Sequence, residues 1–248
     1  MDQIYENQYE VNDSVVDRYG RLRPAAILFL AQDMAGCHCV QLELDYDKLA
    51  AKGLFWAVTR HRVRVTRLPR SGEIITLETW PMPTTRVAYP RALRATDENG
   101  QELFCVISLW VLMVIQSRAM VLPGKSGVEV EGILRGCELT APLGLPAREL
   151  VESTLRRGCF TDLDRNGHMN NTRYLDWVYD LLPSAFHESH SLEEMTVCYL
   201  AAGLEGQMLK LNWGCPEEKQ VQVDIHREDA AGDHRIFATK LTFRKENP

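Results

Sequence analysis

The sequence predicts an α+β protein built from two similar units, each a helix followed by antiparallel strands. Three observations predict it. The apolar period changes from helical to alternating at Leu54, and does so again after Pro183. A Pro- and Gly-rich stretch over residues 118–158 separates the two halves. Finally, setting Gly72 against Gly206 places Val63 and Val65 opposite Val197 and Tyr199, and Ile75 and Leu77 opposite Leu209 and Leu211. The turn glycines Gly100 and Gly232 fall within two residues of the same offset, as an internal duplication requires.

Taken in order, Ile4, Tyr5, Tyr9, Val11, Val15 and Val16 alternate with polar residues as a strand that turns at Tyr19 and Gly20. Pro24 suits the first turn of a helix whose positions Ile27, Leu28, Leu30, Ala31, Met34 and Ala35 are apolar enough to be wrapped by other structure. A short helix over Asp45 to Lys52 stops at Gly53. Strands follow over Leu54 to Val65 and Glu73 to Trp80. Val87 to Thr96 and Gln101 to Ile115 then form a hairpin around Asp97 to Gly100. One short helix is expected near Ala147 to Leu155. The second half repeats the order, with a helix from Asn171 to Leu182 ending at Pro183. Strands are expected over Met195 to Leu200, Gln207 to Trp213, Gln220 to Glu228 and Phe237 to Arg244. The expected boundaries are 1–122 for the first domain, 123–155 for the connection and 156–248 for the second domain.

With 248 residues, 45% of them apolar, the chain can bury one large core or two ordinary ones. A net charge of −6 argues against a dedicated nucleic-acid binder. The N-terminus lacks a basic region followed by an apolar one, so no secretory signal is expected. Seven cysteines at irregular spacing fit reduced thiols in a cytoplasmic protein. The longest apolar run, Leu103 to Ile115, is too short for a membrane span and reads as a buried strand.

The chemistry concentrates in Asp162-Leu-Asp164-Arg-Asn166-Gly-His168-Met-Asn170-Asn171, just ahead of the second-half helix. Its beginning copies a calcium loop, with Asp162, Asp164 and Asn166 at the first, third and fifth positions and Gly167 at the sixth. Arg173, however, stands at the twelfth, where calcium needs a bidentate Glu. Asn170 or Asn171 can cap the following helix. That leaves a carboxylate, an amide and an imidazole in the alternating triplet Asp164, Asn166 and His168.

The run Asp-Leu-Asp-x-Asn-x-His-x-Asn-Asn-x-x-Tyr resembles the acyl-acyl-carrier-protein thioesterases of plants and bacteria. So do the strand Trp56-Ala-Val-Thr leading into Leu68-Pro-Arg-Ser-Gly72-Glu, and the N-terminal helix. The resemblance covers most of the chain. It implies two tandem hotdog domains, each an antiparallel sheet wrapped around a central helix. It also implies hydrolysis of fatty acyl thioesters of acyl carrier protein, with Asp164, Asn166 and His168 as catalytic residues. No metal or organic cofactor is implied. Asp164 would activate water or attack directly, His168 would assist as base and then protonate the thiolate, and Asn166 would hold one of them or donate to the oxyanion. Plant members carry Glu and then Cys where this chain has Ala202 and Gly203. A cysteine-centred mechanism is therefore closed at that position, and Glu205 is the nearest acid that could substitute for the missing Glu.

Other features have plainer alternatives. Arg60, Arg62 and Arg64 share one strand face, which is either a solvated surface or a dock for the acidic carrier. Met34 and Trp56 are candidates for contact with the acyl chain, although core packing selects the same residue types. Cys37-His38-Cys39 has no second ligand pair at zinc spacing. The rival functions are an acyl-CoA thioesterase of the same fold and a catalytically weak acyl-binding protein. Pairing of sheet edges makes a homodimer reasonable.

Overall fold

The computed structural model describes residues 3–136, 139–164, 167–217, 219–230 and 232–246. The chain divides into two compact units, Met1–Pro142 and Leu143–Pro248.

In the first unit, strand β1 (Tyr5–Glu10) precedes the long helix α1 (Pro24–Gln41) and the short α2 (Tyr46–Ala50). Strands β2 (Leu54–Val65), β3 (Ile74–Pro81), β4 (Tyr89–Thr96) and β5 (Glu102–Val114) follow, then the two-residue β6 (Met120–Val121) and the single turn α3 (Pro123–Ser126). The strands pair antiparallel in the order β1-β3-β4-β5-β2, with β6 on β5. Pro24 opens α1, as its fixed φ and missing N–H favour. The helix packs against β3 and β1, and buries Ile27, Leu28, Leu30, Ala31, Met34 and Ala35.

The face under α1 also carries a polar row that the alternating pattern did not single out. His61 on β2 and Arg91 on β4 both register with Ser108 on β5, so the three side chains share one face. His61 Nδ1 lies 2.8 Å from Ser108 Oγ, and Arg91 donates to His38 Nδ1 of α1 at 3.0 Å. All four residues are buried. Burial pushes the His61 imidazole down to about 3.

In the second unit, β7 (Glu152–Arg157) is followed by α4 (Arg173–Tyr179), α5 (Ser184–Ser189), β8 (His190–Tyr199), β9 (Met208–Glu217), β10 (Gln220–Asp229) and β11 (Gly232–Lys245). Their order is β7-β9-β10-β11-β8, again antiparallel. Replacing β1, β3, β4, β5 and β2 by β7, β9, β10, β11 and β8 turns one pattern into the other, which is the duplication expected from the glycine offset. Gly72 and Gly206 both take positive φ, 86° and 77°, immediately before β3 and β9. An L side chain would be strained there, so the repeat preserves a turn geometry and not merely a composition.

Two expectations are corrected. The helix near Ala147 to Leu155 is absent; residues 152–157 form the end strand β7, in register from Glu152 opposite Trp213 to Arg157 opposite Met208. Ala147, Leu150, Val151 and Leu155 do fall at helical spacing, but Leu155 is 64% exposed and Val151 91%, so no element covers such a stripe, whereas β9 supplies a row of backbone partners. The second-half helix is also shorter than Asn171 to Leu182. Leu181 and Leu182 tighten to bonds with Val178 and Tyr179 ahead of Pro183, and α5 begins beyond it.

The Pro- and Gly-rich connection is bonded to the units at both ends. Within the first unit, Ile133 donates to the Pro81 carbonyl, Arg135 pairs with Glu78, and Leu139 is buried beside Trp80. Gly132 lies so close to Met82 that an added Cβ would overlap its backbone. Within the second unit, Leu145 and Pro146 present their carbonyls to Arg235, whose guanidinium also pairs with buried Asp224 at 2.7 Å.

Candidate active site

The motif folds as a closed turn. Asp164 N–H donates to the His168 carbonyl at 2.8 Å, and His168 N–H donates back to Asp164 Oδ1 at 3.2 Å. Gly167 takes φ 74°, the conformation that lets the chain reverse there. Leu163 bridges to Met169, and Asn170 N–H donates to the Asp162 carbonyl at 2.8 Å, so the turn closes on a short ladder. Asp164 and His168 therefore stand opposite each other, half-buried, at the head of that ladder. Asn166, the third expected catalytic residue, lies outside the described residues.

The base of the turn is fixed by side chains. Asp162 Oδ2 accepts from Cys159 N–H at 3.0 Å, and Arg173 reaches Asp162 Oδ1 at 3.7 Å while pairing with Asp176 at 3.0 Å. The guanidinium thus lies against the carboxylate that would have been the first calcium ligand. Asn170 Oδ1 accepts from both the N–H and the hydroxyl of Thr172, so it acts in a turn one step ahead of α4 instead of as its cap.

A second wall comes from Ala202, Gly203 and Leu204. Met169 N–H donates to the Gly203 carbonyl at 2.9 Å, and His168 bridges to Leu204. This brings the two positions where the chain departs from the plant pattern directly beside the motif. Gly203 N–H donates to the Tyr174 hydroxyl at 3.0 Å, and the Ala202 carbonyl accepts from Arg227 at 3.2 Å. A Cβ on Gly203 would meet Tyr174 Oη at 3.0 Å, Leu209 Cδ1 at 3.3 Å and Met169 Cβ at 3.5 Å. Position 203 therefore points into the core. Glu205 is exposed on the turn ending at Gly206 and makes no hydrogen bond or ion pair among the described residues.

Two tyrosines that the sequence reading did not separate from core packing tie the motif to the sheet. Tyr174 on α4 is 2% exposed and stacks on Phe237 of β11 at 4.7 Å. Burial pushes its phenol up to about 12, against the opposing pull of the Gly203 amide. Tyr199 at the end of β8 donates to the Asn171 carbonyl at 2.9 Å, and burial raises its phenol further still. The signal in the sequence is that both are tyrosines, where phenylalanine would serve packing alone, and that Tyr174 ends the Asn-Asn-x-x-Tyr run.

The remaining candidates are dispersed. Arg64 pairs with Glu102 at 3.1 Å and Arg62 donates to Thr140 Oγ1, while Arg60 has no ion pair among the described residues. Met34 is buried on α1. Trp56 donates to the Leu44 carbonyl at 3.0 Å and packs edge-on against Tyr89, in a cluster with Leu49, Leu54 and Leu112. None of these partners lies on α1.

Comparison with known proteins supplies the context. A family model described as the acyl-ACP thioesterase N-terminal domain matches residues 2–122, and its C-terminal counterpart matches residues 150–246. A palmitoyl-acyl carrier protein thioesterase, chloroplastic, of Gossypium hirsutum is 29% identical over 161 residues, which are 61% of this chain and 39% of the relative. The match thus spans about two-fifths of that relative's length. An acyl-ACP thioesterase of Bacteroides thetaiotaomicron superposes with a TM-score of 0.88 at 21% identity over 98% of both chains. The 12:0-ACP thioesterase of Umbellularia californica gives 0.82 at 18% identity over 99% of both. At such identities the likeness is one of fold, and the fold is the tandem hotdog.

Proposed function

This chain belongs to the acyl-ACP thioesterase family, and from that membership we propose that it hydrolyses fatty acyl-acyl carrier protein thioesters to a free fatty acid and the carrier thiol. The observation that carries this reading is the closed turn in which Asp164 and His168 grip each other's backbone, inside the segment matched by the C-terminal family model. Asp164 either takes a proton from the attacking water or attacks the thioester carbonyl itself, in which case a water then hydrolyses the acyl-Asp164 anhydride to free fatty acid and restores the carboxylate. As the tetrahedral intermediate collapses the C–S bond breaks, and His168 hands a proton to the departing sulfur. Asn166 is assigned from its place in the motif, to orient one of these groups or to donate to the carbonyl oxygen.

The test is a thiol-release assay on one acyl chain carried in turn by acyl carrier protein and by CoA, repeated across chain lengths. Release from the carrier-bound substrate with the higher kcat/KM is the expected result. Preference for CoA would reassign the substrate. Acyl binding without thiol release would favour the acyl-binding reading, which the missing carboxylate at Ala202 supports. Docking of the acidic carrier on Arg60, Arg62 and Arg64 is proposed from charge, with Arg64 already shared with Glu102.

Restoring the plant cysteine is expected to fail. Gly203→Cys places its side chain among Tyr174, Leu209 and Met169. It should lower stability by about 1–3 kcal/mol, read as a reduced Tm, without raising turnover. A faster enzyme would mean that position 203 faces the substrate.

Among the described residues no helix is long and apolar enough to cross a membrane. We place the protein in the cytoplasm, a reading supported by six free cysteines among the described residues. Pairing of copies through the end strands β1 or β7 is proposed as the route to a homodimer, and sedimentation measures it.

A further inference from the structure

The catalytic turn is held on one side by its own ladder and on the other by the strip Ala202 to Leu204, so whatever fixes the strip also fixes the turn. Following the bonds outward from the motif, Met169 N–H reaches the Gly203 carbonyl at 2.9 Å, and Gly203 N–H reaches Tyr174 Oη at 3.0 Å. The two bonds lie on opposite sides of one residue. Gly203 is thereby suspended between the motif and a phenol that belongs to the helix the motif leads into.

We propose that Tyr174 is a positioning residue for the thioester hydrolysis: its hydroxyl anchors the Gly203 amide, and through the Gly203 carbonyl it sets where the Asp164–His168 turn stands. The inference rests on the functional reading above, but its physical core does not depend on turnover.

Three features favour this role over plain packing. The ring already has its packing, stacked on Phe237 with planes 9° apart, and phenylalanine would fill the same space. The hydroxyl is instead spent on a buried backbone donor, the Gly203 N–H, which has no other acceptor among the described residues. An unpaired buried N–H is disfavoured strongly enough to make the strip move toward a new acceptor. Gly203 itself is shaped to the hydroxyl, since a Cβ there would come within 3.0 Å of Tyr174 Oη. The residue lacking a side chain and the tyrosine opposite it form a matched pair. Displacement of the strip is transmitted to His168, because His168 bridges to Leu204, the next residue along. Misplacement of reacting groups by about 1 Å is enough to cost on the order of 100-fold in rate.

The experiment uses the full chain and two readouts. In Tyr174→Phe, kcat on a carrier-bound thioester should fall about tenfold or more while KM stays within about twofold, because alignment and not substrate affinity is lost. Amide exchange at Met169, whose own partner the substitution leaves in place, should accelerate by about tenfold. Phe237→Leu serves as the comparison: it loosens the same ring but keeps the hydroxyl, and should retain both kcat and Met169 protection. Unchanged kcat or unchanged Met169 exchange in Tyr174→Phe would overturn the proposal. So would an equal loss of kcat in Phe237→Leu. If the wild-type protein releases no thiol, the functional reading fails, and Met169 exchange alone still decides whether Tyr174 positions the turn.

Discussion

Asp164→Asn should reduce thiol release from a carrier-bound acyl thioester by a factor on the order of 10²–10⁴, the range that a positioned base contributes. The substitution is chosen to leave the fold alone. Asp164 Oδ1 accepts the His168 N–H at 3.2 Å, and an asparagine carbonyl oxygen can accept the same bond. The backbone bond from Asp164 N–H to the His168 carbonyl does not involve the side chain at all. Tm should therefore stay within a few degrees of wild type, while the amide can neither take a proton from water nor attack a carbonyl carbon. His168→Ala should show a comparable loss, and its backbone bonds are likewise retained. Near-wild-type hydrolysis by both variants would remove the two residues from the chemistry and leave the closed turn as a structural device. A collapse of Tm in Asp164→Asn would reveal instead that the charge on the carboxylate, and not only its oxygen, closes the turn.

Much of this was legible in the chain because it is written in local rules. Strand β2 has the bounds expected, since alternation over Leu54 to Val65 is long and ends at turn residues. Pro24 marked the start of α1, and the offset between Gly72 and Gly206 predicted a repeat that the pairing reproduces strand for strand. What failed to be legible depended on partners distant in sequence. Nothing local in residues 152–157 says strand; β9 does, by offering its backbone edge. The connection looked like a linker because Pro and Gly break periodicity. Gly132 and Ile133 nonetheless sit against Met82 and Pro81, a relation between residues some fifty positions apart. At the site, Asp164, Asn166 and His168 stand out in the sequence as candidate chemistry, and Tyr174 closes the same run as a fixed position with no role attached to its hydroxyl. That hydroxyl gains meaning from Gly203, which the sequence marks as a departure from the plant pattern but does not connect with Tyr174.

The buried row under α1 leads to the second large effect, on the acid side of the stability curve. His61 is 1% exposed and set against Ser108 Oγ at 2.8 Å, while Arg91, in register with Ser108 on the neighbouring strand, is bonded to His38 of α1. A proton on His61 would be desolvated, so the folded imidazole stays neutral down to about 3. In the unfolded chain the same side chain takes up its proton near 6.5. The sign follows from that difference. The folded pKa is depressed and the unfolded state binds the extra proton, so this contribution to stability is complete above about pH 6.5 and is lost as pH falls toward 3. The slope in that window is at most about 1.4 kcal/mol per pH unit, for a total on the order of a few kcal/mol. His61→Asn, whose amide can still meet Ser108, should flatten the fall measured by denaturant titration between pH 6.5 and 4.5 by about one proton's worth, the window in which carboxylates add least. Ser108→Ala keeps the imidazole buried and should retain the wild-type slope even where it lowers stability at every pH. If His61→Asn and wild type lose stability in parallel across that window, the acid sensitivity belongs to other groups, and the polar row under α1 is ordinary core.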